Sequence, residues 1–213
     1  MNEPSYIIGV DEAGRGPLAG SVFAAAVLYD SNKQPIFSGL NDSKKLSEKK
    51  REALFSEIQI HSVYSSIQFS SVIEIDEINI LQATLLAMKR AIEKVIAYIT
   101  QDLGCQINSL KKIYIDGNQA PKLSLPYQFV PIETIVQGDA IMPIISAASI
   151  LAKVQRDREM QALSLIYPQY FFDKHKGYGT KLHVQALNEH GPCKIHRKSF
   201  SPVKNLMHLA VEE

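Results

Sequence analysis

Val10-Asp11-Glu12-Ala13-Gly14-Arg15-Gly16-Pro17-Leu18-Ala19-Gly20 is the stretch whose reading decides the fold. It follows a short apolar run, Tyr6-Ile7-Ile8-Gly9-Val10, that reads as a strand over residues 5–11. Two carboxylates then stand side by side where that strand should end. Glycine and proline follow at once (Gly14, Gly16, Pro17 and Gly20), and glycine lets the backbone turn with positive φ and lets another backbone come close. Adjacent anions in an apolar setting are costly unless a cation pairs with them. The simplest resident cation is a divalent metal, and hard carboxylate oxygens suit Mg²⁺ or Mn²⁺. Beyond the acids, free amide groups and Arg15 suit a phosphate or a nucleic-acid backbone.

Ser21 to Leu28 is a second apolar run of strand length, and the glycine turn before it predicts a hairpin-like return. Residues 30–43 are rich in turn formers, Ser47 caps a helix through about Ile58, and His61 to Phe69 alternates as a third strand. Ile78, Leu81, Leu85, Met88, Ile92, Val95 and Ile99 form one apolar stripe, which predicts a helix from about Asp76 to Thr100. Lys112 to Asp116 and Gln128 to Val136 read as two further strands. Pro143 to about Gln161 is a helix rich in small residues, suited to close packing on a sheet. Thr180 to His190 is a last helix, with Gly191-Pro192 as its stop. This order predicts an α/β fold with a mixed five-stranded sheet, antiparallel in its first half and parallel in its second. A small helical segment follows from about residue 165.

Asp116 and Asp139 stand at the predicted ends of apolar runs, each beside a glycine, as Asp11 and Glu12 do. Strand ends of an open α/β sheet are where ligand sites gather. Four carboxylates converging there would hold two Mg²⁺ about 4 Å apart for work on a phosphodiester. Each acid has a plainer reading, because Asp-Gly and Gly-Asp are ordinary turn dipeptides; the shared strand–acid–glycine pattern favours a site. A glycosidase also needs paired carboxylates but leaves the basic segment described below without a role. No Gly-x-x-x-x-Gly-Lys-Ser/Thr phosphate loop and no His-Glu-x-x-His zinc motif occurs.

The chain has 213 residues, 46% apolar and 21% charged, which suits one substantial core in a soluble globular protein. No apolar run nears the roughly 20 residues that span a bilayer, and no signal-peptide pattern opens the chain. Cys105 and Cys193 fit no metal spacing, so reduced thiols in a cytoplasmic protein are expected. The net charge is +1, yet seven Lys/Arg lie between Asp173 and Lys204 against two acids, along with four of the six histidines. That concentration suits a polyanionic partner; solvated helical faces are the expectation for His183, His190 and His196.

Six blocks, in order, resemble type 2 ribonuclease H (ribonuclease HII) of the bacterial kind. They are Gly9 to Gly20, Leu40 to Ser47 (Leu-Asn-Asp-Ser-Lys-Lys-Leu-Ser), Ile75 to Thr84, Ile115 to Asn118, Gly138-Asp139-Ala140 with Ile145 to Val154, and His175 to Thr180. The resemblance implies a ribonuclease H-like fold over one catalytic domain, residues 1–213, whose part from about 165 to 213 is a substrate-binding extension. It implies an endoribonuclease that cleaves the RNA strand of RNA–DNA hybrids and incises 5′ to single ribonucleotides in duplex DNA. By similarity, Asp11, Glu12, Asp116 and Asp139 are the catalytic acids that bind Mg²⁺ or Mn²⁺. Gly14, Arg15 and Gly16 match the loop that recognises the ribonucleotide 2′-OH, and Tyr178 matches the tyrosine that stacks on the sugar on the DNA side. Lys44 and Lys45 are expected to meet backbone phosphates. The expected partners are hybrid and ribonucleotide-containing duplexes, with no membrane, no clamp-binding peptide in Leu206 to Glu213, and a monomeric state. A structure-specific DNA nuclease of the same fold and a non-catalytic hybrid-binding module are the competing readings.

Overall fold

The computed structural model describes residues 4–33 and 46–209. Lys44 and Lys45 lie outside the described residues. Five strands form one sheet: β1 (Tyr6–Ala13), β2 (Val22–Asp30), β3 (Tyr64–Ser70), β4 (Leu110–Asp116) and β5 (Ile132–Ile135). Their order is β3-β2-β1-β4-β5. β1 pairs antiparallel with β2, and β2 with β3. β4 pairs parallel with β1, and β5 with β4. The mixed sheet is therefore the one expected, antiparallel through the first three strands and parallel through the rest.

Strand alternation explains the layers, because successive side chains point to opposite faces. Ala24, Ala26 and Leu28 of β2 pack with Ile8 and Val10 against helix α2 (Val72–Ala97). Ala25, Val27 and Tyr29 pack on the other face against α1 (Glu48–His61) and α4 (Pro143–Ile166). β2 is thus covered on both sides, which is why it reads as an unbroken apolar run. The stripe of α2 is rich in alanine where it meets the sheet, through Ala83, Ala87, Ala91, Ile92, Val95 and Ile96. Burying a side chain such as Ile92 contributes about 1.5–3 kcal/mol. α4 comes closer still: a Cβ on Gly9 of β1 would stand 2.4 Å from the carbonyl oxygen of Ile144.

α2 begins earlier than its stripe predicts. Ser71 caps it, accepting from the Glu74 N–H at 3.2 Å, while the Glu74 carboxylate accepts from the Ser71 N–H at 2.8 Å. It is also kinked at Asn79, whose φ is 66°. The Asn79 side chain accepts from the Leu81 and Gln82 N–H groups and so restarts the helix.

After α4 the chain folds into a smaller body. It contains α5 (Phe172–His175), α6 (Lys181–His190) and α7 (Val203–Leu209), with Gly191 at the predicted stop in positive φ. Tyr170, Phe172, Ala186, Leu187 and Val203 share a core with Met160 of α4 and with Leu18 and Ala19. The glycine-rich stretch after β1 is therefore clamped between the sheet and this C-terminal segment. Among the described residues, no helix is long and apolar enough to cross a membrane.

Candidate active site

Strand register brings the first acids together. In the parallel pair β1/β4, Val10 stands opposite Ile115, so Asp11 and Asp116 follow at the same height on neighbouring strands. Glu12 is next along β1. Asp11, Glu12 and Asp116 each place a carboxylate oxygen within 4.8 Å of the others, and among the described residues they are the acid group that could hold a metal ion. Asp11 is buried. Burial first, and then the charges of Glu12 and Asp116, hold its carboxyl well above the usual carboxylate range, while Ser149 of α4 and the Glu12 N–H pull it back. That N–H donates to Asp11 Oδ1 at 2.7 Å. Glu12 is raised too, by burial, against Arg15, whose guanidinium lies 3.5 Å away. Three carboxylates crowded in a poorly hydrated place, with one half-exposed arginine at the rim, are a donor set that suits a divalent cation.

Asp139 is placed differently from its expected strand end. β5 stops at Ile135, Gln137 takes a left-handed conformation, and Asp139 opens the one-turn helix α3 (Gly138–Ile141). The N–H groups of Gly138 and Asp139 donate to Asp116 Oδ1 at 2.7 and 3.4 Å. Asp139 is buried beside the group of three and joined to it through Asp116, outside the 4.8 Å set.

The turn after β1 is held from below by arginine. Gly14 has φ +102°, and a Cβ there would stand 2.2 Å from Nε of Arg156, a buried residue of α4; both features demand glycine. Arg156 lies under Tyr178, 5.7 Å from its ring centroid. Tyr178 is exposed beside Gly16, where a Cβ would touch its ring at 3.7 Å. Gly177 makes that placement possible: its carbonyl accepts from the Leu18 N–H at 2.8 Å, and a Cβ there would meet the Ala19 carbonyl at 2.7 Å. The Gly14-Arg15-Gly16 turn and Tyr178 thus form one surface, and Arg15 links it to the acids through Glu12.

Arg197 was counted above with the basic residues that suit a polyanion, and the structure corrects this. It is fully buried. Nη2 donates to the carbonyls of Gly14 (2.6 Å), Gly20 (2.8 Å) and Ser21 (3.2 Å); Nη1 donates to Arg15 (3.0 Å) and Pro17 (2.8 Å); Nε donates to Gly20 (3.0 Å). Burial, and then the Arg156 guanidinium, push its pKa down to about 9, which leaves it charged at neutral pH.

The histidines need a second correction: His183 and His196 are fully buried in place of the solvated faces expected, while His190 is exposed as expected; His175 is buried as well. Carbonyl oxygens only accept, which fixes the ring protons. His183 donates from Nδ1 to the Tyr178 carbonyl at 3.0 Å, so its Nε2 accepts from His196 Nε2 at 3.0 Å. His196 Nδ1 then accepts from the Cys193 N–H at 3.0 Å. His175 donates from Nε2 to the Tyr170 carbonyl at 2.8 Å and accepts the Gly177 N–H at 3.2 Å. Burial pushes His183 and His196 down to about 4. Their partners all lie within the C-terminal segment, two to 13 residues away in sequence, and one contact joins two of the imidazoles to each other.

Comparison with known proteins agrees with this geometry. The sequence model of "Ribonuclease HII" matches residues 8–203. The chain is 51% identical over 199 residues to ribonuclease HII of Bordetella avium, covering 93% of this chain and 89% of the relative. It is 53% identical over 201 residues to that of Shewanella sp. strain W3-18-1, covering 94% and 90%. The crystal structure of ribonuclease H2 from Pyrococcus horikoshii superposes with a TM-score of 0.73 at 25% identity, covering 98% of this chain and all of that one. Bst-RNase HIII in complex with Mn²⁺ shares the fold, with a TM-score of 0.71 at 16% identity, covering 99% and 71%. A sheet that aligns acids at adjacent strand ends, and relatives matched along almost their whole length, lead to one conclusion: the chain belongs to the ribonuclease HII family and is an endoribonuclease.

Proposed function

We propose that this endoribonuclease, besides cutting the RNA strand of RNA–DNA hybrids, incises duplex DNA on the 5′ side of a single embedded ribonucleotide. The observation that carries the reading is the continuity between the carboxylate group of Asp11, Glu12 and Asp116 and the turn Gly14-Arg15-Gly16 beside Tyr178. Only the 2′-OH distinguishes RNA from DNA at one position, and it is both donor and acceptor. Backbone groups of a glycine turn can reach it without an intervening side chain. Tyr178, with its ring exposed, is suited to press on the neighbouring sugar.

Asp11, Glu12 and Asp116 would hold Mg²⁺ or Mn²⁺, with Asp139 as a further ligand on the α3 side. When bound, two such ions acidify the attacking water and neutralise charge on the phosphodiester and the departing 3′ oxygen. Burial raises the pKa of the Asp11 carboxyl, and a bound cation would favour its ionised form. Arg15, exposed at the rim and 3.5 Å from Glu12, would meet the substrate backbone. Water adds to phosphorus, the bond to the 3′ oxygen breaks, and the ends are a 3′-hydroxyl and a 5′-phosphate. Residues 1–213 act as one catalytic unit, whose part after about residue 165 contributes Tyr178 to the substrate face.

The test is a labelled DNA duplex with one ribonucleotide, incubated with Mg²⁺ or Mn²⁺ beside all-DNA and EDTA controls. One metal-dependent cut 5′ to the ribonucleotide is expected, with the controls intact. Cutting of both duplexes would make the protein a DNA nuclease, and cutting of long hybrids alone would remove the single-ribonucleotide activity. Tyr178→Ala should lower the rate at the single ribonucleotide by about tenfold, the worth of one stacked sugar or base.

A further inference from the structure

We propose that Arg197 is a positioning residue for ribonucleotide selectivity: from the C-terminal segment it turns the Arg15 and Gly16 amides outward, toward the ribose. The inference rests on the reading that this turn senses the 2′-OH.

The argument is geometric. Arg197 draws the carbonyls of Gly14, Arg15, Pro17, Gly20 and Ser21 inward to one buried guanidinium. The peptides joining residues 14 to 15 and 15 to 16 are trans. In a trans peptide the C=O and N–H of one unit point in opposite directions. Fixing the carbonyls of Gly14 and Arg15 inward therefore fixes the N–H groups of Arg15 and Gly16 outward, on the side of the turn where Tyr178 stands. Among the described residues neither N–H has a protein partner.

Arg197 is itself held firmly. Its N–H donates to the Leu18 carbonyl at 2.8 Å, and its neighbour His196 bridges Ala19. On its other side, the Asp76 carboxylate of α2 accepts from the Lys198 N–H at 3.0 Å, the Ser199 N–H at 2.9 Å and the Ser199 hydroxyl at 2.6 Å. A planar fork with five donors can gather carbonyls spread over eight residues; an ammonium with three donors cannot. The turn's shape is thus set by one side chain that never reaches the surface.

The test measures binding, with Ca²⁺ in place of the active ion to hold cleavage off. Fluorescence anisotropy gives Kd for a duplex with one ribonucleotide and for the same duplex of DNA alone, with wild type and Arg197→Lys. Wild type should prefer the ribonucleotide duplex. In Arg197→Lys that preference should fall by about tenfold, the worth of one or two hydrogen bonds from amide N–H groups, while affinity for the all-DNA duplex stays within about twofold. A merely structural role would weaken both duplexes alike, and an equal loss, or an unchanged ratio, overturns the proposal. Loss of preference in wild type itself would instead overturn the reading of the turn. Should Arg197→Lys not fold, amide exchange on the wild-type protein decides: the Arg15 and Gly16 amides should be protected by the ribonucleotide duplex and not by DNA alone. Equal protection by both overturns the assignment.

Discussion

The sheet with α2 and α4, and the segment after residue 166, bury their interiors by opposite means. The first interior is Ile, Val, Leu and Ala from both faces of the sheet, and its polar groups are chiefly those of the strand ladders. The second keeps apolar residues such as Phe172 and Leu187 but also buries Arg156, Arg197, His175, His183 and His196, most of them bonded to backbone carbonyls. Apolar packing is non-directional and tolerates exchange of similar volumes. Hydrogen bonds from buried charges are directional, worth about 1.5–3 kcal/mol each, and costly when one partner is removed. The acids need only strand register, which the apolar interior supplies. The turn proposed to face the ribose needs a particular backbone shape, and the polar interior supplies that.

The largest expected effect sharpens the division. Asp11→Asn should lower kcat on an RNA–DNA hybrid at least about a thousandfold, about 4 kcal/mol of barrier, while the melting temperature stays level or rises because a buried repulsion is relieved. A rate above a tenth of wild type would take Asp11 out of the chemistry. Next, Gly14→Ala meets both a φ of +102° and the Arg156 side chain at 2.2 Å; a cost of about 1–3 kcal/mol is expected in urea unfolding. Gly104 also has positive φ, +63°, but open space around it, so Gly104→Ala should cost less. Equal costs would mean that contact with the polar interior contributes nothing.

The smallest effect is on acid stability. His183 and His196 titrate near 4 in the folded chain and near the ordinary value of about 6.5 when unfolded. Between those values the unfolded state binds more protons, so stability falls as the pH drops from about 6.5 to 4 and gains nothing from these groups above that window. Protonation of His183 sets two N–H groups face to face across the 3.0 Å contact, and protonation of His196 at Nδ1 sets one against the Cys193 N–H. Amide exchange at pH 7 and 4.5, corrected for its intrinsic pH dependence, should show protection lost in α6 before β2. Simultaneous loss in β2 would break the comparison.

The same contrast explains what the sequence made legible. Period-two and helical patterns report apolar burial, so the strands, α2 and α4 could be read, and so could Asp11, Glu12 and Asp116 at strand ends. The kink in α2 was hidden because the stripe Ile78 to Ile99 runs on through it; the break belongs to Asn79 alone. Asp139 was read onto a strand end because Gln128 to Val136 reads as one strand running up to Gly138, whereas the strand spans only Ile132–Ile135. The burial of Arg197 had no local signal at all, since carbonyls from the other end of the chain satisfy it. Counting charge treats every such residue as solvated.

The bond from Arg197 to the Gly14 carbonyl joins residues 183 apart in sequence. At the usual pace of synthesis, about 5–20 residues per second, roughly 10–40 s separate the emergence of one from the other. Over the last 81 residues of that interval (197 − 116) a growing chain already carries Asp11, Glu12 and Asp116 but has no clamp to shape the turn beside them. Contacts of such long range are also the slowest to form in folding. On the proposed reading, the shape that selects the substrate would therefore be set only after the three acids have emerged.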